Sequence, residues 1–143
     1  MTKVYNLKVK SDIKNLKVIG NFIEEVLKKE NINKDIIDEI LISADEAATN
    51  IIMHSYKKRP DEIIKLKLSV EDDKIILSFF DTGETFDPSK VKTPEFVKDI
   101  TKREMGGLGI FLMKKFMDEV TYYFKNTDSR KENEVRMIKY IKK

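Results

Sequence analysis

Glu46, Asn50 and His54 stand four residues apart in the stretch IIDEILISADEAATNIIMHSY, residues 36–56. At about 100° per residue they stack along one stripe of a helix. The stripe offers a carboxylate, an amide and an imidazole but no lysine, in a chain with 28 Lys and Arg. A carboxylate can take a proton, and an amide oxygen can hold a hard cation. A second group is Asp81-Thr82-Gly83, directly after an apolar run. A carboxylate leaving a buried strand can enter a pocket, and glycine lets the backbone approach a ligand closely. The third is Gly106-Gly107-Leu108-Gly109, ahead of the apolar run LGIFLMKKFM. Glycine amides opening a helix make a phosphate nest, helped by the helix dipole. Taken singly, each group has an ordinary reading: a solvated helix face, a turn, a flexible joint.

The elements that must position these groups follow from periodicity. Residues 4–10 alternate and read as a strand. Ser11 and Asp12 are good N-caps for a helix carrying Leu16, Ile19, Ile23, Val26 and Leu27, which ends near Asn31. Asn33 caps the next helix, which places Ile37, Ile40, Leu41, Ala44, Ala48, Ile51 and Ile52 opposite the polar stripe. That helix ends before Pro60. Residues 64–70 alternate as a half-buried strand, residues 71–74 turn, and residues 75–80 form a nearly all-apolar, central strand. Residues 81–109 hold four of the five glycines and read as a long functional loop. A short helix at 108–117, a strand at 120–124, a polar turn at 126–133 and a last strand at 135–141 complete the chain. The order β-α-α-β-β-loop-α-β-β predicts a two-layer α/β (α+β) sandwich: a mixed, mostly antiparallel sheet with helices on one face.

Composition narrows the function. The chain has 143 residues, net charge +3, 41% hydrophobic and 37% charged residues. This fits one domain, 1–143, with a sizeable core and no basic patch for direct nucleic-acid binding. No run approaches the ~20 apolar residues of a membrane span, and the alternating N-terminus is no export signal. The expected address is the cytoplasm, with which the absence of cysteine agrees. One histidine and no cysteine argue against a zinc site. No strand immediately precedes the glycine box and no GxxxxGK[ST] is present, so neither a dinucleotide fold nor a P-loop is indicated.

In this order and spacing, the three groups resemble those of the GHKL ATPase superfamily, shared by DNA gyrase, histidine kinases and the heat-shock chaperone ATPase. The similarity is closest to the small bacterial anti-sigma-factor serine/threonine kinases. SADEAATNIIMHSY, DTGETFDP and GGLGIFLMKKFMDEV carry it, and it extends over nearly the whole chain. The resemblance implies a Bergerat-type ATP-binding fold using ATP and Mg²⁺. Asn50 would hold Mg²⁺ between the phosphates, and Glu46 would be the general base for the attacking hydroxyl. Asp81 would accept from the adenine amino group, and Gly83 would admit the base. Gly106, Gly107, Leu108 and Gly109 would bind the nucleotide, with the loop before them as its lid. Arg103, or its neighbour Lys102, would stabilise the γ-phosphate. His54 would support Asn50 or line the phosphate end. The superfamily's usual second glycine is Thr85 here, followed by Phe86, a nucleotide-contact candidate and a form typical of the anti-sigma branch. Histidine autokinase activity is not indicated, because His54 lies inside the nucleotide motif.

The implied function is phosphorylation of an anti-sigma-factor antagonist by a homodimer that also binds a sigma factor. An ATP-sensing binding module without catalysis is the alternative. An aspartic protease, suggested by Phe79-Phe80-Asp81-Thr82-Gly83, conflicts with two long helices ahead of the motif.

Overall fold

A computed structural model describes residues 2–84, 107–127 and 130–141. The elements are β1 (Lys3–Lys10), α1 (Asn15–Lys29), α2 (Lys34–Asn50), a π-helical turn (Ile51–Ser55), β2 (Ile63–Val70), β3 (Lys74–Asp81), α3 (Gly107–Phe116), β4 (Glu119–Thr127) and β5 (Arg130–Tyr140). The strands form one sheet in the order β1-β2-β3-β5-β4. The α/β sandwich is as expected, with β3 in the middle of the sheet. Every pairing among the described strands is antiparallel, so the mixed sheet is corrected to an antiparallel one. The reason is topological. The connection through α3 carries the chain past β3 to the sheet edge at β4, and the β4–β5 hairpin then fills the gap between them.

Strand alternation sends one set of side chains to the helices. Ile64, Leu66 and Leu68 of β2, Ile75, Leu77 and Phe79 of β3, and Val135 and Met137 of β5 are buried. They join one core with Ile19, Ile23 and Leu27 of α1, Ile37, Ile40, Ala44 and Ala48 of α2, and Met113 of α3. Each large side chain buried in this way contributes roughly 1.5–3 kcal/mol. Helices α1 and α3 both pack against α2, which makes α2 the middle of the helical layer.

Local chemistry sets the boundaries. Asn33 caps α2 as expected, its side-chain oxygen accepting from the Asp35 N–H at 2.8 Å. Helix α1 begins later than the Ser11–Asp12 caps suggest. Asp12 instead closes the turn before it, accepting from the Lys14 N–H at 3.0 Å. Ser11 is buried and accepts from the Glu62 N–H at 3.2 Å while donating to the Arg59 carbonyl. Asn31, at φ 59°, ends the first helical region in a left-handed conformation that asparagine tolerates. The polar stretch at 126–133 is not all turn: β4 runs to Thr127 and β5 starts at Arg130.

Candidate functional site

Helix α2 does not stop cleanly after Asn50. The Tyr56 N–H bonds the Ile51 carbonyl at 2.9 Å, five residues back. This widened turn is a π-helical insertion, a feature concentrated at functional sites. Lys57 and Lys58, at φ 48° and 66°, terminate it. The widening brings Ser55 and Tyr56 against the end of β3. The Ser55 carbonyl accepts from the Glu84 N–H at 2.8 Å. The Tyr56 hydroxyl accepts from the Thr82 N–H at 2.8 Å and donates to the Ile63 carbonyl at 2.6 Å.

Gly83 sits where this turn meets the strand end. A Cβ at Gly83 would lie 2.6 Å from the Ser55 carbonyl carbon and 2.8 Å from Cδ1 of Tyr56. The close approach that Gly83 permits is therefore made first by the protein's own backbone.

Asp81 ends β3 and is 6% exposed. Its Oδ1 accepts from the Gly83 N–H at 2.9 Å and from the Asn133 side-chain amide at 2.9 Å. The same amide donates to the Gly83 carbonyl at 3.1 Å. Burial pushes the Asp81 carboxyl above the usual carboxylate range; the Asn133 amide, the Gly83 N–H, Lys131 and Ser55 act against it.

A pocket open to solvent lies between α2 and this strand end; its empty volume, open solvent included, is about 400 Å³. Asn50, Ser55, Asp81, Tyr122 and Asn133 supply its polar lining, and Ala47, Ile51, Phe124 and Val135 its apolar walls. Asn50 and Asp81, two of the residues singled out in the sequence, thus face one cavity. Glu46 is 5% exposed, one helical turn before Asn50. His54 is half-buried in the π turn and is not among the pocket's lining residues. Burial lowers its pKa, which favours neutral imidazole. Gly107, Leu108 and Gly109 form the start of α3. Phe86, Lys102, Arg103 and Gly106 lie outside the described residues.

The pocket combines a buried carboxylate acceptor, Asp81, with the Asn50 amide and apolar walls, a lining that suits a planar base bearing an amino group. Among the described residues no three His, Cys, Asp or Glu side chains group into a metal site.

Four contributors escaped sequence reasoning: Ser55, Tyr56, Tyr122 and Asn133. Asn133 had a readable signal, because Asn133, Val135 and Met137 alternate with Glu134 and Arg136 and extend the last strand.

A family model described as a histidine kinase-like ATPase domain matches residues 9–139. The serine-protein kinase RsbW of Staphylococcus epidermidis is 35% identical over 123 residues, covering 82% of this chain and 74% of that protein. RsbW of Staphylococcus aureus strain MRSA252 is 33% identical over 142 residues, covering 96% of this chain and 86% of that one. A chain in the crystal structure of the SiaB–SiaC complex from Pseudomonas aeruginosa shares the fold, with a TM-score of 0.68 and 15% identity, covering 94% of this chain and 88% of that one.

Proposed function

Because the chain belongs to the histidine kinase-like ATPase family, we propose that it is an ATP-dependent protein serine/threonine kinase acting as an anti-sigma factor. Its substrate would be a small anti-sigma-factor antagonist carrying a serine or threonine acceptor. The observation that carries this reading is the shared pocket of Asn50 and Asp81, with buried Glu46 one turn away. The relatives named serine-protein kinase agree with it.

ATP supplies the phosphoryl group that is transferred. Asp81 takes the adenine amino group as hydrogen-bond acceptor, and the Gly83 turn lies beside the base. Asn50 would hold Mg²⁺ at the phosphates through its side-chain oxygen. Glu46 would remove the proton of the attacking hydroxyl as that oxygen bonds to the γ-phosphorus and the bond to the β,γ-bridging oxygen breaks, releasing ADP. Gly107, Leu108 and Gly109, at the N-terminus of α3, contact the phosphates; Gly106, Phe86, His54 and Arg103 complete the site as the family resemblance implies.

Phosphate adds about −1.5 to −2 charges to the antagonist and weakens its docking. The kinase is then left to its sigma factor, which is the partner switch. The protein acts as one domain in the cytoplasm and as a homodimer. In support of the dimer, the sheet face opposite the helices carries Val4, Ile76 and Phe80, with Val4 48% exposed. No described helix is long and apolar enough to cross a membrane.

The test is transfer of labelled γ-phosphate to a purified antagonist in the presence of Mg²⁺. Stoichiometric labelling of one serine or threonine is expected. ATP-dependent retention of the antagonist without labelling would replace the kinase with a sequestering module.

A further inference from the structure

Tyr122 lies on β4 and points to the helical side of the sheet with Val120 and Phe124, opposite Val135. Its hydroxyl oxygen is buried, with less than 1 Å² exposed, and has no hydrogen-bond partner among the described residues. Such orphaned groups are rare in folded proteins, because burial strips water without a replacement. Phenylalanine would fill the same volume without that cost. The residue nevertheless lines the pocket shared by Asn50, Asp81 and Asn133. A ligand in that pocket can supply the partner that the described residues do not.

The chemistry of the pocket identifies the atom. Asp81 already accepts two N–H groups on Oδ1. As an acceptor it suits the 6-amino group of adenine. Beside that amino group, on the edge farthest from the sugar, adenine carries N1, a bare acceptor. Tyr122 lies one ladder step deeper than Asp81: it pairs with Val135, which pairs with Phe79, whereas Asp81 pairs with Asn133. A base entering with its sugar outward presents N1 to that depth. We propose that the Tyr122 hydroxyl donates a hydrogen bond to adenine N1, directly or through one water, and so completes the base-reading edge begun by Asp81. Burial raises the phenol pKa well above its ordinary value, so the group is a protonated donor near neutral pH.

The inference rests on the nucleotide reading of the pocket. The experiment is calorimetric titration of the full chain and Tyr122→Phe with Mg-ATP, Mg-1-deaza-ATP (N1 replaced by C–H) and Mg-7-deaza-ATP, with melting of both proteins without nucleotide. Tyr122→Phe is expected to bind ATP and 7-deaza-ATP about 5- to 10-fold more weakly than the unaltered chain. Against 1-deaza-ATP the two proteins are expected to be equal. Without nucleotide, Tyr122→Phe is expected to melt no lower than the unaltered chain, since it loses only a hydroxyl with no partner among the described residues. Equal ATP affinity of the two proteins overturns the proposal, as does an undiminished loss against 1-deaza-ATP. A lowered melting temperature without nucleotide also overturns it, because it assigns the hydroxyl a structural partner. Failure of the unaltered chain to bind ATP at all is a separate outcome: it removes the nucleotide reading and the proposal with it.

Discussion

Asn133 donates its side-chain amide to Oδ1 of Asp81 at 2.9 Å, across the β3–β5 ladder in which the two are direct partners. The bond orients the carboxylate and favours its ionised form, while burial opposes ionisation. Asp81 holds its proton to a higher pH in the folded chain than in the unfolded one. Its ionisation therefore costs stability as pH rises from the unfolded pKa to the folded one. ATP affinity should fall as pH drops through a midpoint above the ordinary ~3.9 of aspartate. Asn133→Ala removes a donor to the ionised form and should move that midpoint further upward, with affinity at neutral pH about 10-fold weaker. ATP titrations from pH 5 to 8 check both effects; coincident pH profiles would deny Asn133 its role.

Gly83→Ala tests the junction between the π turn and β3. The added carbon would meet the backbone carbonyl of Ser55 and the Tyr56 ring. A flexible side chain can yield, but a carbonyl held by the Glu84 N–H cannot do so cheaply. A loss of about 1–3 kcal/mol is expected, as for overpacking elsewhere. Urea unfolding followed by circular dichroism would show it as a lower midpoint with an unchanged slope.

The sequence made the core legible because its signals are local. Ile64, Leu66 and Leu68 alternate, and Ile37, Ile40 and Ala44 recur at helical spacing, so their buried faces followed from period alone. Asn50 and Asp81 were legible as candidate site residues from their neighbours and from resemblance to known motifs, and both line one pocket. The π turn was not, since nothing in the types of Ile51–Ser55 distinguishes five-residue from four-residue hydrogen bonding. Its cause is tertiary: Ser55 and Tyr56 bond the strand end. Asn133 was readable as a strand position from its alternation with Val135 and Met137, but not as a partner of Asp81. It ends a polar stretch that reads as a turn, and only its partnership with Asp81 makes a buried amide favourable there.

Arg136→Ala tests a buried charge on the other sheet face. Glu134 is 4% exposed, accepting from Arg136 Nε at 2.9 Å and from the Ser78 hydroxyl at 3.0 Å. Loss of the guanidinium takes the Nε and Nη2 donors from a buried carboxylate and leaves it the Ser78 hydroxyl. Arg136 is itself 41% exposed at its side chain, so the cost should fall below that of a fully buried pair, at about 1–2 kcal/mol. Glu134→Gln added to Arg136→Ala should recover part of it, because the amide needs no counter-charge. A double-mutant cycle in urea measures the recovery; strict additivity would mean that the pair is not coupled.

Glu46→Gln separates chemistry from binding. Glu46 lies on α2 one turn before Asn50 and is as buried as Asn133 and more buried than Asn50 and Asp81. Glutamine keeps its length and shape but cannot take a proton, so the phosphates and base should bind as before. Transfer to the antagonist should fall at least ~10²-fold, the usual worth of a positioned general base. Parallel ATP titration and single-turnover phosphorylation distinguish the two effects. A variant that binds ATP normally and transfers phosphate at the unaltered rate would leave proton removal to another group and reduce Glu46 to a structural member of α2.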